Sequence, residues 1–217
     1  MVFSFLGGRK DGQDRPMARF HGPAEVRAYW EGRRQDGSIP ARSDLDPRGM
    51  AGALDQVFVA ERIGTGLVRL RIAGMGLANI ADLDMKGLPL STLFTPESRL
   101  RLAAVLERVF TMPEVAELHL EAERTIGKPA LQARLLLLPL RSTGGARDLI
   151  LGCLATQGEV GRAPRRFAIS RVVEERLILS SPPAAAPAAA PAFAEAAAPA
   201  PRPIAGKPRL RLVYSAD

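Results

Sequence analysis

The chain predicts an α+β fold: a five-stranded antiparallel sheet with a helical belt and an N-terminal helix. Three observations carry that expectation. The elements read as one helix, two strands, several short broken helices, one long helix and three strands, without the strand–helix alternation that a parallel sheet requires. The strands are joined by short glycine-bearing turns at Gly64-Thr65-Gly66, Ile126-Gly127-Lys128-Pro129 and Ser142-Thr143-Gly144-Gly145, which suit antiparallel neighbours. Hydrophobic residues make up 47% of the 217 and aromatics only 5%, so a sizeable core can form and must be built mostly from Leu, Val, Ile and Ala.

Pro23 opens a helical stretch in which Val26, Tyr29, Trp30 and Arg33 share one face at spacings of three and four. A turn-rich connection follows, and in it Asp46-Pro47-Arg48 reads as a helix start with Asp46 as the cap. Residues 56–63 and 67–73 are β-rich runs forming a hairpin. The next stretch is broken by Gly74, Gly76, Gly87 and Pro89 and should hold brief helices. Residues 96–110 form the strongest helix, with Thr95 at the cap, Pro96 in the first turn and an apolar stripe of Leu102, Val105, Leu106, Val109 and Phe110. Strands are expected over 115–124, 130–140 and 148–157. After the domain, Ile169, Val172, Val173, Arg176 and Leu177 fall on a helical period, which predicts a short amphipathic helix over 170–181.

The ends differ in composition. Residues 1–22 are rich in Gly, Asp and Arg and are expected to be flexible. Residues 182–208 are dominated by Ala and Pro, a composition that forbids continuous helix and predicts a disordered, extended linker. In the tail 209–217, Leu210, Leu212 and Tyr214 alternate with Arg211 and Val213, and Arg209 precedes them, a strand-like pattern suited to sheet-edge addition.

The net charge of +7 invites a nucleic-acid reading. Its distribution argues against one: residues 20–157 carry 17 basic and 16 acidic side chains, so the excess lies in the flanks. The clusters Arg165-Arg166 and Arg209–Arg211 lack interleaved aromatics for base stacking. No apolar run approaches the roughly 20 residues of a membrane-spanning helix. The opening MVFSFLGGRK is too short for a secretory signal, and a single cysteine makes no internal disulfide. A cytoplasmic protein is expected.

Catalytic and metal motifs are weak throughout. Gly74-Met75-Gly76-Leu77-Ala78-Asn79 approximates a dinucleotide fingerprint, but position 79 is not small and no βαβ unit follows. The acid pairs Asp44/Asp46 and Asp82/Asp84 sit in turn-rich segments where carboxylates cap and close turns. His119 shares a strand face with Glu117, Glu121 and Glu123 and should face solvent, while Cys153 alternates with Leu149, Leu151 and Ala155 as a small core residue. No catalytic residue and no metal site is assigned, and an enzyme is not expected.

Several segments together resemble a known family: YWEGRR (29–34) followed by PARSDLDP (40–47), GMGL (74–77), GLPLSTLFTPESRLRL (87–102) and GEVGRAPRRF (158–167). Over about residues 24–169 the chain resembles the stand-alone alphaproteobacterial PAS-like proteins of the PAS_5 family. That resemblance implies a PAS-like sensory or protein-interaction fold over 23–169 and carries no catalytic motif to transfer. Haem-binding PAS domains ligate iron from a histidine on the long helix, and 96–110 has none; LOV-type flavin chemistry uses a cysteine in a belt helix, whereas Cys153 falls in the last strand. No cofactor is therefore expected. By periodicity, Leu70, Ile72, Leu93, Leu102, Leu106, Leu120 and Leu151 are candidates to line a ligand cavity between sheet and belt.

The run Leu135–Leu138 projects apolar side chains from both sheet faces, so one face would be left as an exposed patch unless something covers it. Tyr29 and Trp30 on the N-terminal helix could cover it, from the same chain or a second copy. The expectation is a non-enzymatic regulatory module that forms a homodimer and binds another protein, with Tyr29, Trp30, Leu136, Leu138, Arg209, Leu210, Arg211, Leu212 and Tyr214 as interaction residues. The alternative is a nucleic-acid- or ribosome-associated regulator acting through the basic flanks.

Overall fold

The computed structural model describes residues 20–179. The flexible N-terminus expected over 1–22 therefore falls almost wholly outside the described residues, as do the linker and the tail with Arg209, Leu210, Arg211, Leu212 and Tyr214. Helix α1 spans His21–Gly32, beginning two residues before Pro23, which sits in its first turn where its missing N–H is harmless. Short 3-10 segments follow at Gln35–Gly37, Arg42–Asp44 and Pro47–Ala53. Strands β1 (Val57–Gly64) and β2 (Leu67–Ala73) form a hairpin, and helix α2 (Met75–Ala81) with a 3-10 turn at Leu90–Leu93 makes the broken belt. The long helix α3 (Pro96–Thr111) leads into β3 (Glu114–Ala122), β4 (Gln132–Leu140), β5 (Leu149–Gln157) and β6 (Phe167–Arg176).

The sheet is antiparallel throughout, in the order β2-β1-β5-β4-β3-β6. The α+β expectation holds, and the five expected strands appear within two residues of their expected bounds. The sheet has a sixth strand as well. Residues 170–181 were expected as an amphipathic helix; instead β6 pairs along the edge of β3. The cause is a bulge. Leu120 pairs with Ile169 and His119 with Arg171, which leaves Ser170 as an extra residue whose hydroxyl donates to the His119 carbonyl. Inward-facing side chains therefore run Phe167, Ile169, Val172, and a period-two pattern with one insertion imitates the spacing of a helix.

Both faces of the sheet are spent on cores. The inner face (Phe58, Ala60, Leu118, Leu120, Leu135, Leu137, Ile150 and Leu154) packs under α2, the 3-10 turn and α3. The outer face (Val57, Val59, Val115, Leu136, Leu138, Leu140, Leu151 and Cys153) packs under α1 and the segment 39–53 through Val26, Trp30, Ile39, Leu45 and Met50. A sheet buried on both sides has near-continuous apolar strands, which is why residues 135–138 are all leucine.

The glycines of the Gly74–Asn79 segment serve packing. A Cβ at Gly74 would lie 2.3 Å from the Asp55 carbonyl oxygen, and the Gly76 N–H donates to that same oxygen at 2.7 Å. β2 enters α2 from an antiparallel hairpin, so no βαβ unit exists here. The acid pairs likewise close local structure: Asp44 accepts from the Ala41 N–H, Asp46 from the Arg48 N–H and Asp84 from the Lys86 N–H, while Asp82 ends α2 in the left-handed region.

Arg165, within the GEVGRAPRRF segment, is nearly fully buried and donates to the carbonyls of Val160, Glu123 and Pro129, with the Arg165 N–H itself bonded to Ile80. Burial lowers its pKa. The guanidinium ties together the turns around Glu123, Pro129 and Val160, and the backbone N–H joins them to α2. No helix among the described residues is long and apolar enough to cross a membrane.

Candidate ligand and interaction site

Trp30 has no exposed surface, and its indole N–H donates to the Pro139 carbonyl at 3.0 Å. Pro139 lies just beyond the last β3–β4 pair, Ala116 with Leu137, so its missing N–H removes no ladder bond and its carbonyl is available to the indole. Tyr29 accepts at its hydroxyl from the Asp46 N–H at 2.6 Å, and its ring lies so close to Gly49 that a Cβ there would overlap it. Glu25 accepts from the Gly52 N–H. Helix α1 is thus clamped onto the sheet on one side and onto 46–52 on the other.

This arrangement corrects the expected interaction surface. Trp30, Leu136 and Leu138 are buried beneath the chain's own helix, and Tyr29 is half-buried, so these residues form a second core instead of an exposed docking patch. The two-sided apolar pattern was real; its covering comes from the same chain.

The cavity candidates divide by face. Leu70, Leu93, Leu102, Leu106 and Leu120 join one continuous core between sheet and belt. Leu93 also borders a pocket of about 90 Å³ with Ala81, Leu83 and Arg165. Ile72 and Leu151 lie on the opposite face from that assigned to them. β2 carries a bulge in which Ile72 pairs with Val59 and Leu70 with Ala60, leaving Arg71 unpaired, so Leu70 and Ile72 point to opposite sides despite their spacing of two. Leu151 is in a central strand with apolar residues on both faces, where alternation alone does not say which side is which.

On that outer side Ile72 and Leu151 do line a pocket, of about 210 Å³, between the sheet and the 3-10 segments. Its other walls are Leu45, Pro47, Met50, Leu54, Val57 and Val59, and its one charged side chain is Arg42. Ile72 is 48% exposed, Leu54 42% and Met75, in the first turn of the adjoining α2, 72%, so the pocket opens onto apolar surface. Arg42, Met50 and Leu54 stand in a turn-rich connection with no strand or helix period, so no periodicity marks them as a wall. The available signal is the set of large apolar residues Ile39, Leu45, Met50 and Leu54 within a link otherwise made of small and polar residues.

The two residues with conventional chemical potential behave as structural groups. Cys153 is buried, and burial together with the nearby carboxylates of Asp55 and Glu25 pushes its thiol up to about 12. Native protein at pH 8 should therefore react with iodoacetamide only as fast as it opens, and denaturant should release a single reactive thiol. Because the folded pKa lies above the unfolded one, stability associated with this group is intact below about pH 9 and falls as pH rises toward 12. Fast alkylation of folded protein would contradict this. His119 is less exposed than its charged strand face suggested. It lies beside Glu117 at 3.6 Å, and burial, followed by the charge of Arg134, lowers its pKa.

An antiparallel sheet of this order, with a broken belt and one long helix on its inner face, is the arrangement of PAS-like sensory domains. The family model PAS_5, described as PAS domain, matches residues 19–155, and the chain belongs to that family. The match covers more than half of the chain and stops before the GEVGRAPRRF segment and β6. No curated protein matches the chain. PAS domains as a class are sensory and regulatory modules, generally non-catalytic.

Proposed function

We propose that the protein is a non-enzymatic regulatory module that works by binding another protein through the apolar surface around Leu54, Ile72 and Met75. The observation that carries this reading is a pocket whose rim is exposed apolar side chains. Both sheet faces are used internally, yet these three large side chains stay exposed beside a preformed pocket. The partner should offer an apolar side chain to this surface. The nucleic-acid alternative draws on basic flanks that lie mostly outside the described residues, and the surface just described does not favour it.

A photo-cross-linking residue placed at Met75 in cells tests the proposal. It should trap one discrete protein, and the double substitution Leu54→Glu with Ile72→Glu should abolish the product without changing the melting temperature by more than a few degrees. A product with twice the chain's mass would make the partner a second copy. Loss of the product only in variants that also unfold, or no product at all, would overturn the reading.

A further inference from the structure

The pocket beneath Ile72 carries a more specific message than the surface around it. Its apolar walls come from four separate segments: Leu45, Met50 and Leu54 from the link, Val57 and Val59 from β1, Ile72 from β2 and Leu151 from β5. At about 210 Å³ it is smaller than the roughly 300–1,000 Å³ typical of sites for drug-sized molecules, so it suits a medium-length aliphatic chain. Arg42 is its only charged wall, and among the described residues this guanidinium makes no ion pair or side-chain hydrogen bond. The nearest acid in sequence, Asp44, is already engaged by the Ala41 N–H and the Ser43 hydroxyl. On β1, Glu61 shares a face with Val59 but is neutralised by Arg69 and Arg71, a group of net charge +1. An aliphatic slot with an uncommitted guanidinium at its wall matches a molecule with an apolar tail and one anionic head.

We propose that this outer-face pocket binds a medium-chain aliphatic carboxylate, its tail between Met50, Val59 and Leu151 and its carboxylate on Arg42. This site lies across the sheet from the core that α3 packs against. Its assignment rests on the sensory reading above: the ligand would set the position of Leu54 and Ile72, which are both pocket wall and partner surface.

The test is titration of the full chain with octanoate, 1-octanol and octylamine, followed by amide NMR shifts, for the wild type, Arg42→Gln and Ile72→Trp. Octanoate should bind saturably, with shifts centred on residues 42–59, 72–74 and 151, and on the order of tenfold more tightly than octanol. Octylamine should bind no better than octanol. Arg42→Gln should erase the octanoate preference and leave octanol binding unchanged, and Ile72→Trp should weaken both by filling the slot. Absence of saturable shifts at these residues, or a carboxylate preference that survives Arg42→Gln, would overturn the assignment. Neither result bears on the Met75 cross-link, so failure of the ligand and failure of the partner surface are separately readable.

Discussion

Trp30→Ala should lower stability by roughly 3–5 kcal/mol, the range for removing a fully buried large aromatic. For a chain of this size that corresponds to a fall in melting temperature on the order of 10 °C. Two losses combine in one residue. The indole fills the space between α1 and the Leu136–Leu140 stretch of β4, and its N–H satisfies the Pro139 carbonyl, which alanine would leave buried without that donor. Trp30→Phe restores most of the volume but not the donor, and should fall between the two. Chemical denaturation followed by far-UV circular dichroism measures the series. A loss of less than about 1 kcal/mol for alanine would mean that α1 is peripheral.

Leu136→Glu should be more damaging still, costing about 4 kcal/mol or more and leaving little folded protein, because the carboxylate would enter a fully enclosed site without a partner. The same substitution on an exposed dimer face would have split an assembly and left a stable monomer. Leu136→Met, which conserves volume and apolarity, should cost under about 1.5 kcal/mol. Sedimentation with circular dichroism on the soluble fraction distinguishes unfolding from dissociation. A well-folded Leu136→Glu monomer would show that this position is open in solution.

Much of the fold was legible because local signals agreed with one another. Thr95-Pro96 at the start of α3 and the glycine turns between strands fix their elements through backbone restrictions that do not depend on the rest of the chain. The errors arose where the pattern needs tertiary knowledge to interpret. A single inserted residue at Ser170 turned a strand into an apparent helix, and another at Arg71 reversed the facing of Ile72. In both places the bulged residue is polar and the flanking apolar residues are correctly counted, so only the register with the neighbouring strand shows the slip.

The candidate site was less legible than the fold. The Leu135–Leu138 run correctly showed that both sheet faces are apolar, but the sequence could not say that α1 of the same chain covers the outer one. Arg42 and Leu54 drew no notice because a pocket wall made of 3-10 turns has no period to detect. Periodicity places Ile72 and Leu151 in a cavity on the inner face, whereas they border the outer pocket.

The central claim is that α1 of the same chain covers the outer face of the sheet over β4 and β5, which leaves the surface around Ile72 as the proposed place of recognition. Amide hydrogen exchange across a hundredfold dilution series tests it most directly. Protection of Val26–Trp30 should match that of central β4 and β5 and stay constant with protein concentration. Rapid exchange of α1 in dilute protein, with protection returning as concentration rises, would contradict it and assign the covering helix to a second copy.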